Sequence, residues 1–292
     1  MQHNVIQNYR DDEKYRNQLF DLIDVVFPGF DFRKWYNLGY WPDEYVPFSI
    51  ELDGKIVSNV SITKMKVYVN GKAINAIQFG TVATHPDYRK RNLSRYLMEY
   101  VINKYENDTD LMFLFANDSV TEFYPKFGFE RKHESVFKLT NEIPEPVFNS
   151  RKLNIDDFKD RELIVKTLAE RCAITKLFGA EDYSSITMWH LLNLYPENMY
   201  YLDEEEVIII AYENENELHI HDIISNDIVD INSVLPKVIN NKELKAIYYY
   251  FSPDELNYPY NSTFITDDSP FFTRGKFLPE GTKFKFPSTA QT

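Results

Sequence analysis

The sequence predicts a mixed α/β fold in two domains, and three observations carry that prediction. A β-rich run over residues 74–84 passes through a short basic turn into a helical pattern. Two hairpin signals, Asp53-Gly54 and Asn70-Gly71, separate strand patterns ahead of it. A stretch with two prolines, residues 141–146, divides the 292 residues into halves. Each half has a common domain size, and a hydrophobic content of 43% can fill two cores.

The elements of the first half follow from residue spacing. Apolar residues recur at helical intervals over residues 12–27, with Asp11 or Asp12 as the N-cap. A second short helix is predicted over residues 32–40. The remaining predicted elements are strands over 5–10, 47–52, 55–69 and 72–84, a helix from Leu93, a buried strand over 112–117 and a closing strand over 129–140.

The second half has a similar order of elements. The pattern predicts a helix that follows residues 154–157 and runs to about Cys172, a helix over 184–194, strands over 207–212 and 217–224, a helix over 230–240 and a strand over 245–251. No basic turn occurs in it. We therefore predict a domain over residues 1–140, a linker over 141–147, and a second mixed α/β domain over 148–292. The last five residues are expected to be disordered.

Composition narrows the class of protein. Cys172 is the one cysteine, so no internal disulfide can form and a reducing, cytoplasmic location is expected. No apolar run reaches the ~20 residues of a membrane span. The net charge is −13, of which residues 146–292 carry −10 with 14 basic and 24 acidic residues. This charge disfavours nucleic acid and anionic membranes, and would attract amines. Solubility alone also explains many acidic surfaces. The oligomeric state is left open.

The basic turn has the features of a diphosphate site. A helix that starts directly after a strand presents free backbone N–H groups and the positive end of its dipole. Those features together bind phosphate groups. The alternative is a basic helix start that merely faces solvent. The residues of the turn are Arg89, Lys90, Arg91, Asn92, Leu93, Ser94 and Arg95.

The turn resembles motif A of the GNAT N-acetyltransferases. That family's pattern is Arg or Gln, two residues, Gly, one residue, then Gly or Ala; here the glycines are replaced by Asn92 and Ser94. Asn tolerates a positive φ and Ser is small, so the loop geometry can accept both. A second motif, residues 112–130, matches the family's strand, Asn and helix ending in Phe-Tyr-x-Lys-x-Gly-Phe. Residues 80–86 with 123–129 look most like the Eis-like branch.

The resemblance implies an acetyltransferase fold, with a second, degenerate GNAT-like domain, and direct acetyl transfer from the co-substrate acetyl-CoA to a primary amine of a small molecule or peptide. It implies that the basic turn holds the diphosphate. It also implies that the main chain of Val82, Ala83 and Thr84, beside a strand bulge, pairs with the pantetheine arm. Asn117 would hydrogen-bond that arm, and Tyr124 would protonate the departing thiolate.

A general base is not assigned. The strand over 72–81 carries no carboxylate, and Gln78 cannot accept a proton at neutral pH. The Eis-like branch uses its C-terminal carboxylate, which we do not carry over because the end of this chain looks disordered. An ordered water or a remote carboxylate remains.

Two other classes of function remain open. A non-catalytic acyl-CoA-binding or sensor protein would explain the altered glycines and the missing base, and a pure interaction module is a third class. His219 and His221 share one strand face, but no further ligands stand at a metal-site spacing, so no metal is expected. His85 fits a cap or packing role, and Cys172 fits a core position.

Overall fold

Residues 3–265 and 270–292 are described by the structure, a computed structural model. Its strands are β1 (Val5–Gln7), β2 (Tyr45–Leu52), β3 (Lys55–Val69), β4 (Lys72–Thr84), β5 (Leu111–Phe115), β6 (Glu130–Lys132), β7 (Ser135–Leu139), β8 (Arg151–Lys152), β9 (Phe178–Ala180), β10 (Met199–Leu202), β11 (Val207–Asn214), β12 (Glu217–Ile224), β13 (Ala246–Tyr249), β14 (Asn261–Phe264) and β15 (Phe271–Gly275).

Six α-helices and four short 3-10 helices connect these strands in the described part of the chain. The α-helices are α1 (Glu13–Val26), α2 (Phe32–Asn37), α3 (Leu93–Tyr105), α4 (Phe158–Ala169), α5 (Ser184–Asn193) and α6 (Ile231–Val238). The 3-10 helices are Pro86–Tyr88, Asp118–Val120, Tyr124–Phe127 and Ser288–Ala290. As expected, Asp12 caps α1, where its carboxylate accepts from the Tyr15 backbone N–H. None of the described helices is long and apolar enough to cross a bilayer.

Two sheets build the fold, and each contains the same unit. The first has the order β1-β2-β3-β4-β5-β15-β6, with β9 also on β3, and the second has the order β14-β7-β13-β12-β11-β10-β8. In the first, antiparallel β3 and β4 are followed by α3 and a parallel β5. In the second, antiparallel β11 and β12 are followed by α6 and a parallel β13. The predicted mixed α/β class with two related units is therefore confirmed.

The two sheets exchange strands. β7, from the first half of the chain, pairs with β13 and β14 in the second sheet. β15, close to the end of the chain, lies between β5 and β6 in the first sheet. The single closing strand expected over 129–140 is therefore wrong: His133-Glu134 separates two strands that belong to different sheets. The division of the chain at residues 141–147 stays a prediction.

A shared core joins the two halves. α1 and α2 contribute Leu19 and Trp35, and α4 and α5 contribute Ile164 and Leu191, to one buried cluster. A separate cluster lies between α3 and the first sheet, with Leu97 and other apolar residues of that helix on its inner face. Helices from both halves of the chain therefore pack in one core.

Candidate active site

The strand β4 carries a bulge near its C-terminal end. Asn59 of β3 pairs with Ala83, whereas Ser61 pairs with Gly80, so two residues of β4 face a single residue of β3. The first of them, Thr81, has a φ of 48°. A β-branched residue rarely adopts this left-handed conformation, and such backbone strain is concentrated at functional sites. The bulge that the family resemblance implies is therefore present.

A buried polar network holds the strained residue. The Asn59 side-chain amide donates to the Thr81 carbonyl oxygen at 2.9 Å, and the hydroxyls of Tyr45 and Thr81 lie 2.8 Å apart. Ser49 donates to the Asn59 side-chain oxygen at 2.8 Å and lies 2.6 Å from the Tyr9 hydroxyl. Asn59 and Ser49 are fully buried. Because each member is satisfied by the next, the network fixes the bulge in one geometry.

The strands β4 and β5 part at the bulge. Their parallel pairing ends at Phe79 and Leu114. Beyond that point residues 82–84 have no partner on the β5 side among the described strands, and β5 itself ends at Phe115. Asn117 stands at that end, exposed, and its side chain does not cap the following 3-10 helix. An extended ligand can add to the parted strands as a further strand would.

The basic turn follows at the end of β4. Lys90 and Asn92 have φ values of 63° and 59°, so both turn residues are left-handed. α3 begins at Leu93, and Asn92 makes no side-chain cap bond, which leaves the first N–H groups of the helix without a side-chain acceptor. The Ser94 and Thr84 hydroxyls lie 2.6 Å apart and tie the helix start to the strand.

The cations of the turn surround this helix start. Arg89 donates to a main-chain carbonyl of β4, the one of Thr84, at 3.4 Å. Arg91 stacks on the Tyr88 ring, with its guanidinium carbon 4.8 Å from the ring centre. Arg89, Lys90, Arg91 and Arg95 are all exposed. Exposed cations around free N–H groups at a helix start suit a phosphate ligand.

The family assignment rests on this part of the chain. Residues 10–131 match the family model described as "Acetyltransferase (GNAT) domain". Residues 10–131 form a GNAT acetyltransferase domain. The chain therefore contains an acyltransferase domain, and the matched segment includes the bulge, the parted strands and the basic turn.

Solved structures of similar fold cover most of the chain. A probable N-acyltransferase from Enterococcus faecalis has a TM-score of 0.63 at 15% identity, covering 94% of this chain and 72% of its own. A GCN5-related N-acetyltransferase from Kribbella flavida has 0.57 at 12%, covering 93% and 72%. Eis1 from Mycobacterium abscessus has 0.58 at 10%, covering 93% and 73%. These likenesses show the fold. A search of curated proteins found no match to this sequence.

Tyr124 of the GNAT domain lies in a buried, aromatic setting. The helix expected after Asn117 is replaced by two 3-10 helices, and Tyr124 begins the second. The residue is 5% exposed, and its ring packs on Phe123 and Phe272 with centroids 5.3 and 5.6 Å away. Burial raises the pKa of Tyr124 to about 12. The phenol is therefore protonated at neutral and mildly alkaline pH, as a proton donor requires.

The end of the sequence packs against the GNAT domain. The expectation of disorder over residues 288–292 is wrong, because this segment packs against β4. The Gln78 side chain donates to the Ala290 carbonyl at 2.9 Å and accepts from the Thr292 N–H at 2.6 Å. A Cβ built on Gly80 would lie 2.9 Å from the Thr292 main-chain carbon. Only glycine admits the segment so close to the bulge.

Buried groups of the second half hold the same segment. The hydroxyl of Thr289 donates to Asp222 at 2.6 Å, and Asp222 forms a fully buried ion pair with Arg171 at 2.7 Å. The Nε2 atom of His190 lies 2.8 Å from the Gln291 carbonyl oxygen and therefore donates to it. Main-chain and side-chain groups of residues 288–292 thus meet dedicated partners from both halves of the chain.

One cleft adjoins the bulge and the terminal segment, and a second, outer cleft meets the first. The inner one, about 40 Å³, is lined by Phe32, Trp35, Pro42, Tyr45, Thr63, Thr81, Ile186, Trp189, Gln291 and Thr292. The outer one, about 720 Å³, opens to solvent at the end of α3 and the start of α5. Pro42, Thr63 and Ile186 line both clefts, so the two meet there. Thr81 links the inner cleft to the bulge.

Sequence reasoning missed the role of several residues here. Nothing in the sequence around Gln78 indicates that its amide fixes the terminal segment. The aromatic wall comes from α2, β2 and α5, and long-range packing alone brings it together. One signal was present: Gly80 in the interior of a strand indicates a bulge or a close backbone approach, and here both occur.

Proposed function

We propose that the GNAT domain transfers the acetyl group of acetyl-CoA to a primary amine by direct attack. The observation that carries this proposal is the parting of β4 and β5 at a bulge that leads directly into a basic turn and a helix start. Such an opening offers main-chain groups for an extended thioester arm and N–H groups for its diphosphate end.

The basic turn would hold the diphosphate of the co-substrate. The first N–H groups of α3 lack a side-chain acceptor, and the side chains of Arg89, Lys90, Arg91 and Arg95 provide the counter-charge. Val82, Ala83 and Thr84 would pair with the pantetheine arm through their main chain, and Asn117 would bond it from the other side. A main-chain N–H at the bulge would stabilise the oxyanion that develops on the thioester carbonyl.

The chemical step forms one bond and breaks one. The amine nitrogen attacks the thioester carbonyl, the new C–N bond forms, and the C–S bond breaks. The thiolate takes a proton, for which we propose Tyr124 because its phenol is buried and protonated. The amine loses one proton to a base.

The base is not a side chain of the inner cleft. None of the side chains that line this cleft is a carboxylate. The proton of the amine would therefore pass to an ordered water or to a remote carboxylate.

Binding of CoA is the first test. A ligand that binds the folded state stabilises it by RT ln(1 + [L]/Kd), so CoA should raise the melting temperature. Reversing two charges in Arg91→Glu/Arg95→Glu should weaken CoA strongly and pantetheine little. The matched control is Lys159→Glu/Lys242→Glu, which makes the same charge change on exposed residues of the second half. Equal losses for CoA and pantetheine would contradict the diphosphate assignment.

Turnover is the second test. Release of the free thiol from acetyl-CoA is followed with a panel of primary amines. Amine-dependent thiol release with acetylated product supports the proposal. CoA binding without thiol release for any amine would instead support a non-catalytic acyl-CoA-binding or sensor protein.

A further inference from the structure

The inner cleft has walls of aromatic rings in close mutual contact. Phe32 lies 5.9 Å from Trp35 and 5.6 Å from Trp189 between ring centroids. Trp35 meets the Tyr45 ring edge-on at 5.4 Å. The Trp35 N–H and the Tyr45 hydroxyl are both hydrogen-bonded, so these two rings are fixed in place. A cleft of about 40 Å³ between fixed rings admits a slim chain and excludes a broad one.

Three residues that line this cleft each carry a buried polar atom without a hydrogen-bond partner among the described residues. The Thr63 hydroxyl, the Trp189 indole N–H and the Thr292 hydroxyl are buried and unbonded. Thr63 itself is only 4% exposed. Buried polar groups are nearly always satisfied in a folded protein, and each unsatisfied group calls for an explanation. All three belong to residues that line the one small cleft beside the bulge, so a bound polar molecule would account for them together.

The outer cleft adds a charge pattern. Its lining contains four acidic residues and two lysines. One lysine, Lys66, lies 4.0 Å from Glu181 and balances it. The other, Lys64, lies over the Tyr105 ring at 5.1 Å. The acidic side chains left without a salt-bridge partner in the described residues are those of Glu44, Asp108 and Asp182. A positive charge in this cleft is therefore favoured.

We propose that the acceptor is an unbranched alkyl amine with a second positive charge, a linear diamine or polyamine. This inference rests on the acetyltransferase function proposed above and names its substrate class. The reacting amine and its first methylene groups lie in the aromatic inner cleft, where the nitrogen bonds the buried hydroxyls of Thr63 and Thr292 on the side of Thr81. The distal ammonium lies in the acidic outer cleft, past the meeting point at Thr63.

The two clefts act differently on the two nitrogens. Apolar walls around the inner nitrogen disfavour its charged form, because burial lowers the pKa of an amine. The neutral amine is the form that attacks a thioester. The distal nitrogen stays in an open, acidic cleft where its charge is retained. The distal ammonium of a diamine thus adds affinity, and the nitrogen in the inner cleft is the one that reacts.

The probes are a matched set of amines. The primary set is 1,3-diaminopropane, 1,4-diaminobutane, 1,5-diaminopentane and spermidine, compared with butylamine, phenethylamine and a lysine-containing peptide. Binding is followed in the presence of CoA by tryptophan fluorescence, since Trp35 and Trp189 line the inner cleft. Turnover is followed by thiol release. We expect kcat/KM for 1,4-diaminobutane to exceed that for butylamine at least fivefold, the effect of about 1 kcal/mol of ion pairing.

Charge removal in the outer cleft tests the distal site. Glu44→Gln/Asp108→Asn should raise KM for the diamine about fivefold and leave that for butylamine within twofold. The control Asp203→Asn/Glu243→Gln removes two exposed acidic residues elsewhere and should change neither. An equal effect of the two double variants would overturn the distal assignment.

Thr63→Val tests the inner site independently. The change keeps the shape and removes an unpaired buried hydroxyl, so the free protein should melt at the same or a higher temperature. The KM for every amine should rise, because the ligand loses its partner. An unchanged KM would overturn the inner site.

The outcomes separate this inference from the proposed function. Amine-dependent thiol release that is as fast with butylamine or phenethylamine as with diamines contradicts the inference and leaves the acetyltransferase standing. A faster reaction with the peptide does the same. No thiol release with any amine contradicts the proposed function, while diamine binding measured with CoA still decides the acceptor site.

Discussion

At the scale of single residues, Thr81 concentrates the features of the site. Its φ of 48° is unfavourable for a β-branched side chain, yet its carbonyl and hydroxyl are both held, by Asn59 and Tyr45. Strain of this kind costs on the order of 1–3 kcal/mol and persists only where the surroundings fix it. The buried network therefore holds Thr81 in its strained conformation. Because such strain is concentrated at functional sites, it supports a role for Thr81 in the site.

Replacing Tyr124 by phenylalanine separates chemistry from packing. Tyr124→Phe keeps the ring contact with Phe272 and removes the hydroxyl. We expect kcat to fall ~10²–10⁴-fold, with CoA binding unchanged, since general acid catalysis contributes about that much. Steady-state kinetics and CoA titration measure the two effects.

The pH profile gives the matching control. Because burial raises the pKa of Tyr124 to about 12, the wild-type acid stays protonated and kcat should show no decline from this group between pH 8 and pH 10. A variant that keeps kcat within a few-fold and loses only stability would assign Tyr124 a packing role.

Two buried histidines predict sensitivity to acid. Burial lowers the pKa of His190 to about 4 and that of His221 to about 3, against about 6.5 in the unfolded chain. The unfolded state then binds more protons below pH 6.5, so the free energy of unfolding should fall as the pH drops from about 6.5 towards 4. Urea unfolding at several pH values measures the slope.

His221→Phe provides the comparison for that slope. The ring of His221 stacks on Tyr250 with centroids 4.0 Å apart, and phenylalanine keeps this contact without titrating. The variant should lose less stability between pH 6.5 and pH 4 than the wild type. The neutral imidazole also accepts or donates at Ser288, 2.9 Å away, so a lower baseline is expected at all pH values. An unchanged slope would show that the acid sensitivity lies elsewhere.

At the scale of elements, local sequence signals predicted strand bounds and a helix cap, but they did not predict which strands pair. The strands Lys55–Val69 and Lys72–Thr84 were predicted to the residue because Asp53-Gly54 and Asn70-Gly71 fix the turns on either side. The cap of α1 was also predicted, since Asp12 acts on a group three residues away. These elements depend on contacts within a few residues of themselves.

The elements that were predicted wrongly depend on distant partners. β6 and β7 read as one strand, but β6 pairs with β15, which lies about 140 residues later in the sequence. Residues 288–292 read as a polar tail, but their partners are Gln78 and His190, far away in the chain. The residues of the basic turn and the bulge were found because they are contiguous. The inner cleft was not predicted, because its aromatic residues come from three separated elements, α2, β2 and α5.

Gly80→Ala tests the contact between β4 and the terminal segment. The new Cβ would lie 2.9 Å from both the main-chain carbon and the Oγ1 of Thr292, so the segment must shift. We expect a loss of kcat of at least tenfold and a lower melting temperature, with CoA affinity kept because the basic turn is untouched. Ala73→Val, which enlarges an exposed residue of the same strand, is the control. Full activity in Gly80→Ala would show that the position of Thr292 does not matter for catalysis.

At the scale of the whole molecule, the exchange of strands ties the two halves together. β15 from the second half completes the sheet on which the GNAT domain is built, and β7 from the first half lies inside the second sheet. A shared cluster of buried side chains from α1, α2, α4 and α5 adds to this. Each sheet therefore contains a strand from the other half of the chain. Because an unpaired strand edge is unfavourable, the folding of one half depends on the other.

The full chain should therefore unfold in one step, and a fragment of residues 1–147 should not fold by itself. In the fragment, β5 loses the whole of its pairing with β15, and Phe113 loses its contact with Phe271, 6.0 Å away between centroids. The edge left open is apolar throughout, Leu111–Phe115, which favours aggregation over folding. Denaturant unfolding followed by far-ultraviolet and near-ultraviolet circular dichroism should give coincident transitions for the full chain and no cooperative transition for the fragment.

Co-expression with residues 148–292 should restore both the transition and CoA binding, because β15 then returns to its place between β5 and β6. A fragment that unfolds cooperatively and binds CoA alone would show instead that the first sheet is stable without the exchanged strand.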